Sequence, residues 1–256
     1  MVKKILSILA WMATAAALVA LFIVARRHYL DSPVRSVSVN IDRVADSGFV
    51  KKSDVLAEVS GLCGDFKIGS VNMIAIEEQL KSNPWVEHSS THIGLDGNMN
   101  ISIREYQPVL RIYAKNGISA YVTAEGLLLP PSDTYTPRVL IANGNFQLAK
   151  DFAGHQLCDT LEADHNILNA IKLLDAINRN EFMKNCIGQI YCNGKDEFEI
   201  VARNISPKII FGDTNNLDDK LKRLEIFIKQ KFNSLEIKQL KSINLKYKNQ
   251  IVCTKK

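Results

Sequence analysis

The chain has 256 residues, 46% of them apolar, with 32 Lys and Arg against 27 Asp and Glu and a formal net charge of +5. That is enough apolar chain to bury one large or two small cores, which excludes a disordered tail. The cations are scattered, without the basic stripe interleaved with aromatics that a nucleic-acid groove requires.

Ile5 to Ala25 run without a charge, between Lys3-Lys4 and Arg26-Arg27. At about 1.5 Å per residue the run spans the ~30 Å hydrocarbon core of a bilayer, predicting a transmembrane helix over 5–25 behind a short tail at 1–4. A cleaved signal peptide has a shorter apolar stretch, roughly 7–15 residues, and ends at small residues rather than at Arg-Arg. Basic residues flank both ends, so the positive-inside bias is small and only the N-terminal amine tips that end inward.

After a short linker, Val37, Val39 and Ile41 alternate with polar residues, the period of a half-buried strand. Two short helices are expected next: one capped by Ser53 and carrying Val55, Leu56 and Val59, one capped by Ser70 or Asn72 and carrying Met73, Ile76 and Leu80. Gly61 and Gly64 separate them, and Asn83-Pro84 ends the second. From Trp85 the pattern becomes extended, turns at Asp96-Gly97, and returns through Met99, Ile101 and Ile103. The order strand, helix, helix, strand, strand predicts two helices on a three-stranded sheet over 34–107.

From Pro108 the chain is strand-rich, with turns at Asn116-Gly117, Glu125-Gly126 and Asn193-Gly194, and a second, mainly antiparallel β unit is expected over 108–256. Two helices are expected within it, one near 162–178 carrying Ile167, Ile171 and Leu174, the other carrying Leu217, Leu221, Leu224 and Ile228 behind an Asn216 cap. The fold class is therefore α+β. The last strand is read as one extended run, with Ile243, Leu245, Tyr247, Ile251 and Cys253 on one face and Asn244, Lys246, Lys248, Gln250 and Val252 on the other.

Five cysteines form no C-x-x-C pair, and an odd count forbids complete pairing within the chain. Cys186 and Cys192 could meet across a hairpin in an oxidising compartment, or serve as small buried hydrophobes. No G-x-S-x-G, S-x-x-K or P-loop occurs, so no catalytic residues and no cofactor are assigned. His88 and His92 share a face of the expected strand but stand about 13 Å apart there, too far for one ion, and no metal site is assigned.

Three groups of residues, in order, resemble the FtsQ/DivIB family of bacterial cell division. The first is Asn83-Pro84-Trp85-Val86 followed by Ile101-Ser102-Ile103-Arg104-Glu105-Tyr106-Gln107-Pro108-Val109. The second is Ala120-Tyr121-Val122-Thr123-Ala124-Glu125-Gly126-Leu127-Leu128. The third joins Ile209-Ile210-Phe211-Gly212, Asp219-Lys220-Leu221-Lys222-Arg223-Leu224 and Ile243-Asn244-Leu245-Lys246-Tyr247. Asn244 and Lys246 stand where the family usually has Asp and Arg, and Leu95-Asp96-Gly97-Asn98-Met99 replaces the usual Trp-Pro-Asn turn.

The resemblance implies a POTRA domain at 34–107, a β domain at 108–256, no catalysis, and a scaffold in the inner (cytoplasmic) membrane at the division septum. Its N-terminus would be cytoplasmic and its C-terminal part periplasmic. The implied partners are the membrane coiled-coil proteins FtsB and FtsL and, through them, the septal peptidoglycan synthase FtsW and FtsI. An exposed last strand can accept a partner strand, so Lys246, Tyr247, Lys248, Asn249, Gln250, Ile251 and Val252 are the expected partner-binding residues. Lys220, Leu221 and Leu224 are expected to add a secondary contact from the neighbouring helix. The competing reading is a membrane-anchored POTRA-type assembly or secretion factor that binds extended polypeptide by the same edge physics.

Overall fold

The computed structural model describes residues 2–43, 48–62, 67–150, 152, 165–203, 205–231 and 235–256. The chain divides into two compact units, 1–105 and 106–256.

The first unit begins with α1, Val2–Asp31, which continues beyond the expected 5–25 because Arg26-Arg27 interrupts the apolar run but not the helix. Its Leu9–Asp31 stretch is long and apolar enough to cross a membrane. Trp11, Leu18 and Phe22 on it are exposed, so the protein itself does not cover them. Strand β1 (Ser36–Asp42), helices α2 (Lys52–Leu62) and α3 (Met73–Lys81), and strands β2 (Val86–Ile93) and β3 (Asn98–Glu105) follow in the expected order. The sheet order is β1-β3-β2, with β1 parallel and β2 antiparallel to β3. Met99, Ile101 and Ile103 of β3 are buried, as period-2 alternation requires when one face meets helices.

Helix α3 is capped by Asn72, whose Oδ1 accepts the Ala75 N–H at 3.1 Å. Ser53 does not cap α2, which starts one residue earlier; its hydroxyl instead meets the side chain of Asp54 at 2.9 Å. Trp85 is buried and stacks on Phe49 with ring centroids 3.4 Å apart. Glu105, also buried, accepts the Val50 N–H at 2.9 Å, so two signature positions fasten the turn before α2 to the sheet.

The second unit holds a nine-stranded mixed sheet. Its strands are β4 (Pro108–Tyr113), β5 (Ser119–Thr123), β6 (Leu128–Leu129), β7 (Leu140–Gly144), β8 (Ile187–Cys192), β9 (Phe198–Ala202), β10 (Lys208–Gly212), β11 (Leu240–Asn244) and β12 (Val252–Lys255). They lie in the order β12-β11-β10-β9-β8-β7-β4-β5-β6. Most pairs are antiparallel, but β4–β7, β7–β8 and β10–β11 are parallel, since the chain between each pair is long enough for a crossover.

Among the described residues four helices rather than two accompany this sheet: α4 (His165–Asn178), α5 (Glu181–Cys186), α6 (Leu217–Lys231) and α7 (Leu235–Gln239). Alpha5 and α7 are too short to leave a helical period in the sequence. One core unites Ile167 and Leu174 of α4, Met183 of α5 and Leu221, Leu224 and Ile228 of α6 with Ile190, Ile200, Phe211 and Ile243 of the strands. The helices therefore cover one face of the sheet.

One of the expected Asn-Gly turns differs in detail from expectation. At Asn116-Gly117 the glycine takes the positive φ, +81°, whereas at Asn193-Gly194 that conformation falls to Asp196 at +58°. The latter is stabilised because the Asp196 carboxylate accepts the side-chain amides of Asn145 (2.6 Å) and Asn166 (2.8 Å). Asn216 sits at φ +54° before α6 and offers its backbone carbonyl to Lys220 N–H at 3.0 Å.

Cys186, the last residue of α5, and Cys192, the last of β8, are both buried, and Cys192 faces Phe198 across the hairpin rather than another cysteine. Cys63 and Cys158 lie outside the described residues, as does Glu162 of the expected fourth helix.

Phe211 lies at the centre of the second core. Phe211→Ala should lower unfolding free energy by about 3–5 kcal/mol, measured by urea denaturation of the purified protein, because the ring's burial and its cavity both count.

Candidate functional site

The C-terminal end of the large sheet differs from the single extended run expected there. Leu245 still donates to the Ile210 carbonyl at 2.9 Å, but the chain then leaves the strand, turns over 246–251 and returns as β12, antiparallel to β11. Asn249, at φ +59°, makes the reversal. A single strand is ruled out because Asn244 pairs with Val252 and Ile243 with Cys253 across this hairpin. Tyr247 to Gln250 therefore occupy the turn, and Val252 is the first residue of the outermost strand.

The hairpin turn is held from below by one side chain. Arg223 of α6 donates from one terminal nitrogen to the carbonyls of Tyr247 (2.9 Å) and Gln250 (2.8 Å), while its Nε meets the Asp219 carboxylate at 3.0 Å. Its side chain is only 16% exposed. A guanidinium suits this task because its fixed fork can serve two acceptors while Asp219 fixes its plane. No role for Arg223 is expected from the sequence; the signal that could have found it is the Asp219–Arg223 spacing of four on a helix.

The face of the sheet away from the helices forms a register row that ends at this edge: Tyr191, Glu199, Ile210, Asn244 and Val252 stand side by side on β8, β9, β10, β11 and β12. Two lysines on that face are paired. Lys208 meets Glu199 at 2.7 Å and Lys246 meets Glu197 at 2.5 Å. The hydrogen bond to Lys246 holds the Glu197 carboxyl below its ordinary range, and the same bond raises the Lys246 ammonium. Lys246 also packs its stem against Gly212, where a Cβ would lie 2.8 Å from its Cγ.

Among the expected partner-binding residues, Tyr247 is 50% and Val252 42% exposed, and Lys246, Lys248, Asn249 and Gln250 are exposed too. Ile251 is the exception: it is partly buried and packs against the core. The three helix residues expected as a secondary contact are inside. Lys220 is 6% exposed, bonds Asp213 through Oδ1 (2.6 Å) and the carbonyl (2.9 Å), and lies 5.2 Å from the Phe211 ring centre. Leu221 and Leu224 belong to the core. The helical period placed the two leucines inward, and Lys220 followed because a buried ammonium with two acceptors and an aromatic face is compensated.

No group of three or more His, Cys, Asp or Glu that could hold a metal occurs among the described residues. His88 and His92 are exposed on β2. What the edge offers chemically is a row of backbone donors and acceptors beside exposed Tyr247, Lys248 and Val252.

Arg223→Ala should free the turn: hydrogen exchange of a 244–252 peptide is expected to accelerate by roughly tenfold or more, since hydrogen bonds to a charged group contribute about 1.5–3 kcal/mol, with β8 and β9 unchanged. A second check follows protonation. Because the folded Glu197 carboxyl is depressed, its bond to Lys246 stabilises the turn above the unfolded carboxyl's range and is lost as pH falls through the folded value. An NMR titration should place Glu197 below the ordinary 4.5 and return it towards 4.5 in Lys246→Met.

Comparison with curated proteins gives no match. A family described as FtsQ/DivIB, C-terminal related, matches residues 107–254, more than half of the chain and nearly all of the second unit. Members of this family are scaffold proteins of the bacterial divisome, and the long exposed apolar helix α1 fits a membrane-anchored member. The chain belongs to the FtsQ/DivIB-related family of bacterial cell-division proteins.

Proposed function

We propose that this protein is a non-enzymatic divisome scaffold whose outermost C-terminal strand receives an extended segment of an FtsB-type or FtsL-type coiled-coil membrane protein, and through it reaches the septal synthase FtsW and FtsI. The observation that carries the reading is β12 itself. It ends the nine-stranded sheet, pairs only with β11 within that sheet, and exposes all four of its residues. Such a strand leaves alternate N–H and C=O groups directed away from the sheet, and an added strand completes that ladder.

Four residues of ladder give little affinity alone, so side chains must contribute specificity. Val252 supplies an apolar contact at the start of the strand, and Tyr247 supplies a large amphipathic one beside it. Lys248, Lys255 and Lys256 are exposed cations suited to acidic groups on a coiled coil, whereas Lys246 is already engaged by Glu197. In this reading Lys3 and Lys4 lie on the cytoplasmic side and the part after α1 on the periplasmic side of the inner membrane. The family match over 107–254 supports a division role over a general polypeptide-handling one.

Copurification of the tagged full-length protein from its host tests this. Small coiled-coil membrane proteins are expected with the wild type and are expected to be lost with Tyr247→Glu or Val252→Glu, while circular dichroism stays unchanged. Partners that persist with both folded variants would place the interface elsewhere.

A further inference from the structure

The join between α1 and the first unit places an exposed leucine where a bilayer surface would lie. Alpha1 does not end at Arg27 but continues unbroken to Asp31. There it is fastened: Tyr29 donates its hydroxyl to the Gly94 carbonyl at 2.9 Å, the Leu30 carbonyl accepts Gly69 N–H at 2.8 Å, and the Ser32 carbonyl accepts Ile68 N–H at 3.0 Å. Just beyond, Arg35 N–H donates to the Gly97 carbonyl at 2.9 Å. The β2–β3 turn is thus tied to the helix at Gly94 and to the segment that follows the helix at Gly97.

That turn is itself closed. Gly97 N–H reaches the Gly94 carbonyl and Gly94 N–H reaches the Asn98 carbonyl, each at 2.9 Å, with Gly97 at φ +79°. Leu95 projects from its tip and is 94% exposed, the most exposed large apolar side chain of the protein's described residues. Asp96 beside it is turned back, its two carboxylate oxygens taking the backbone N–H (3.1 Å) and side-chain amide (2.5 Å) of Asn98.

Depth follows from helix geometry. The apolar run ends at Ala25, so Tyr29 stands four residues, about 6 Å of helix rise, beyond it. The interfacial layer on each side of the hydrocarbon is of that order, roughly 5–7 Å. Helical side chains tilt towards the N-terminus, so the Tyr29 ring reaches back towards the hydrocarbon and not away from it. The Gly94 carbonyl it holds, and Leu95 next to it, therefore lie at headgroup depth. Arg26, Arg27, Arg35 and Lys67 are exposed around this join, with Asp31 and Asp96 as the opposing charges. Cations and an aromatic hydroxyl at this level are the usual boundary anchors of a membrane helix.

We infer that the β2–β3 turn is a second membrane contact, with Leu95 inserted at the headgroup–acyl boundary of the leaflet where α1 emerges and the surrounding cations facing lipid phosphates. The contact would make α1 and the first unit one rigid body standing on the bilayer rather than a domain on a tether. It rests on α1 spanning a membrane and is independent of the partner proposed for β12.

Tryptophan quenching by lipids brominated near the top of the acyl chain tests the inference, using full-length protein in phosphatidylglycerol-containing vesicles. Quenching of the wild type beyond that of Trp11→Phe, which keeps only the buried Trp85, reports insertion of α1. On a Trp11→Phe background, Leu95→Trp is expected to be quenched at least about twofold more than His88→Trp, placed near the far end of β2. Equal quenching of the two, with Trp11 still quenched in the wild type, would overturn it. So would shielding of residue 95 from aqueous acrylamide without lipid quenching, which would assign the tip to a protein partner.

Discussion

An open β-sheet has to end, and its last strand leaves half of its backbone polar groups without a sheet partner. In the second unit this constraint falls on β12, a four-residue strand joined to the sheet by a single neighbour. So short a strand is not held by its own ladder alone. The turn that delivers it is fixed from the helix layer, where Arg223 ties two turn carbonyls to α6. Alpha6 is in turn locked by Leu221, Leu224 and Ile228 in the core and by Lys220 on Asp213. The core thus reaches the edge through one guanidinium, leaving the outer side of β12 exposed and positioned.

The same division of labour explains which charges belong to structure and which are offered to solvent. Lys220 and Arg223 point inward or sideways to acceptors, and Lys246 and Lys208 neutralise glutamates on the open face. Surface ion pairs contribute little stability singly, but here they hold side chains flat along strands β9, β10 and the end of β11. Lys248 and the terminal lysines have no such assignment among the ion pairs of the described residues. An edge with lysines also resists pairing with copies of itself, so the same residues that favour an acidic segment disfavour self-association.

In the first unit the governing feature is the continuity of α1. A helix that stopped at Arg27 would leave a flexible tether, whereas one that runs to Asp31 presents Tyr29 and the Leu30 carbonyl to the sheet turn and to the 67–70 turn. Signature positions inside the unit act as fasteners rather than as contacts: Trp85 stacks on Phe49, and Glu105 holds Val50.

Much of this was legible from local chemistry. The uncharged run before Arg26, the alternation through Met99, Ile101 and Ile103, the Asn72 cap and the spacing of Leu217, Leu221, Leu224 and Ile228 each reflect one element's own geometry, which is written in residues three, four or two apart. The family motifs lay in the same contiguous stretches. Tertiary structure alone decided the rest. Whether 245–253 forms one strand or a hairpin depends on Arg223, more than twenty positions away, and on Asn249 adopting positive φ. The fate of Lys220 depends on Asp213 and Phe211, and the parallel pairing of β10 with β11 depends on α6 and α7 crossing between them. Such contacts join residues distant in sequence, so no local period records them, whereas burial and hydrogen-bond satisfaction act on the folded whole.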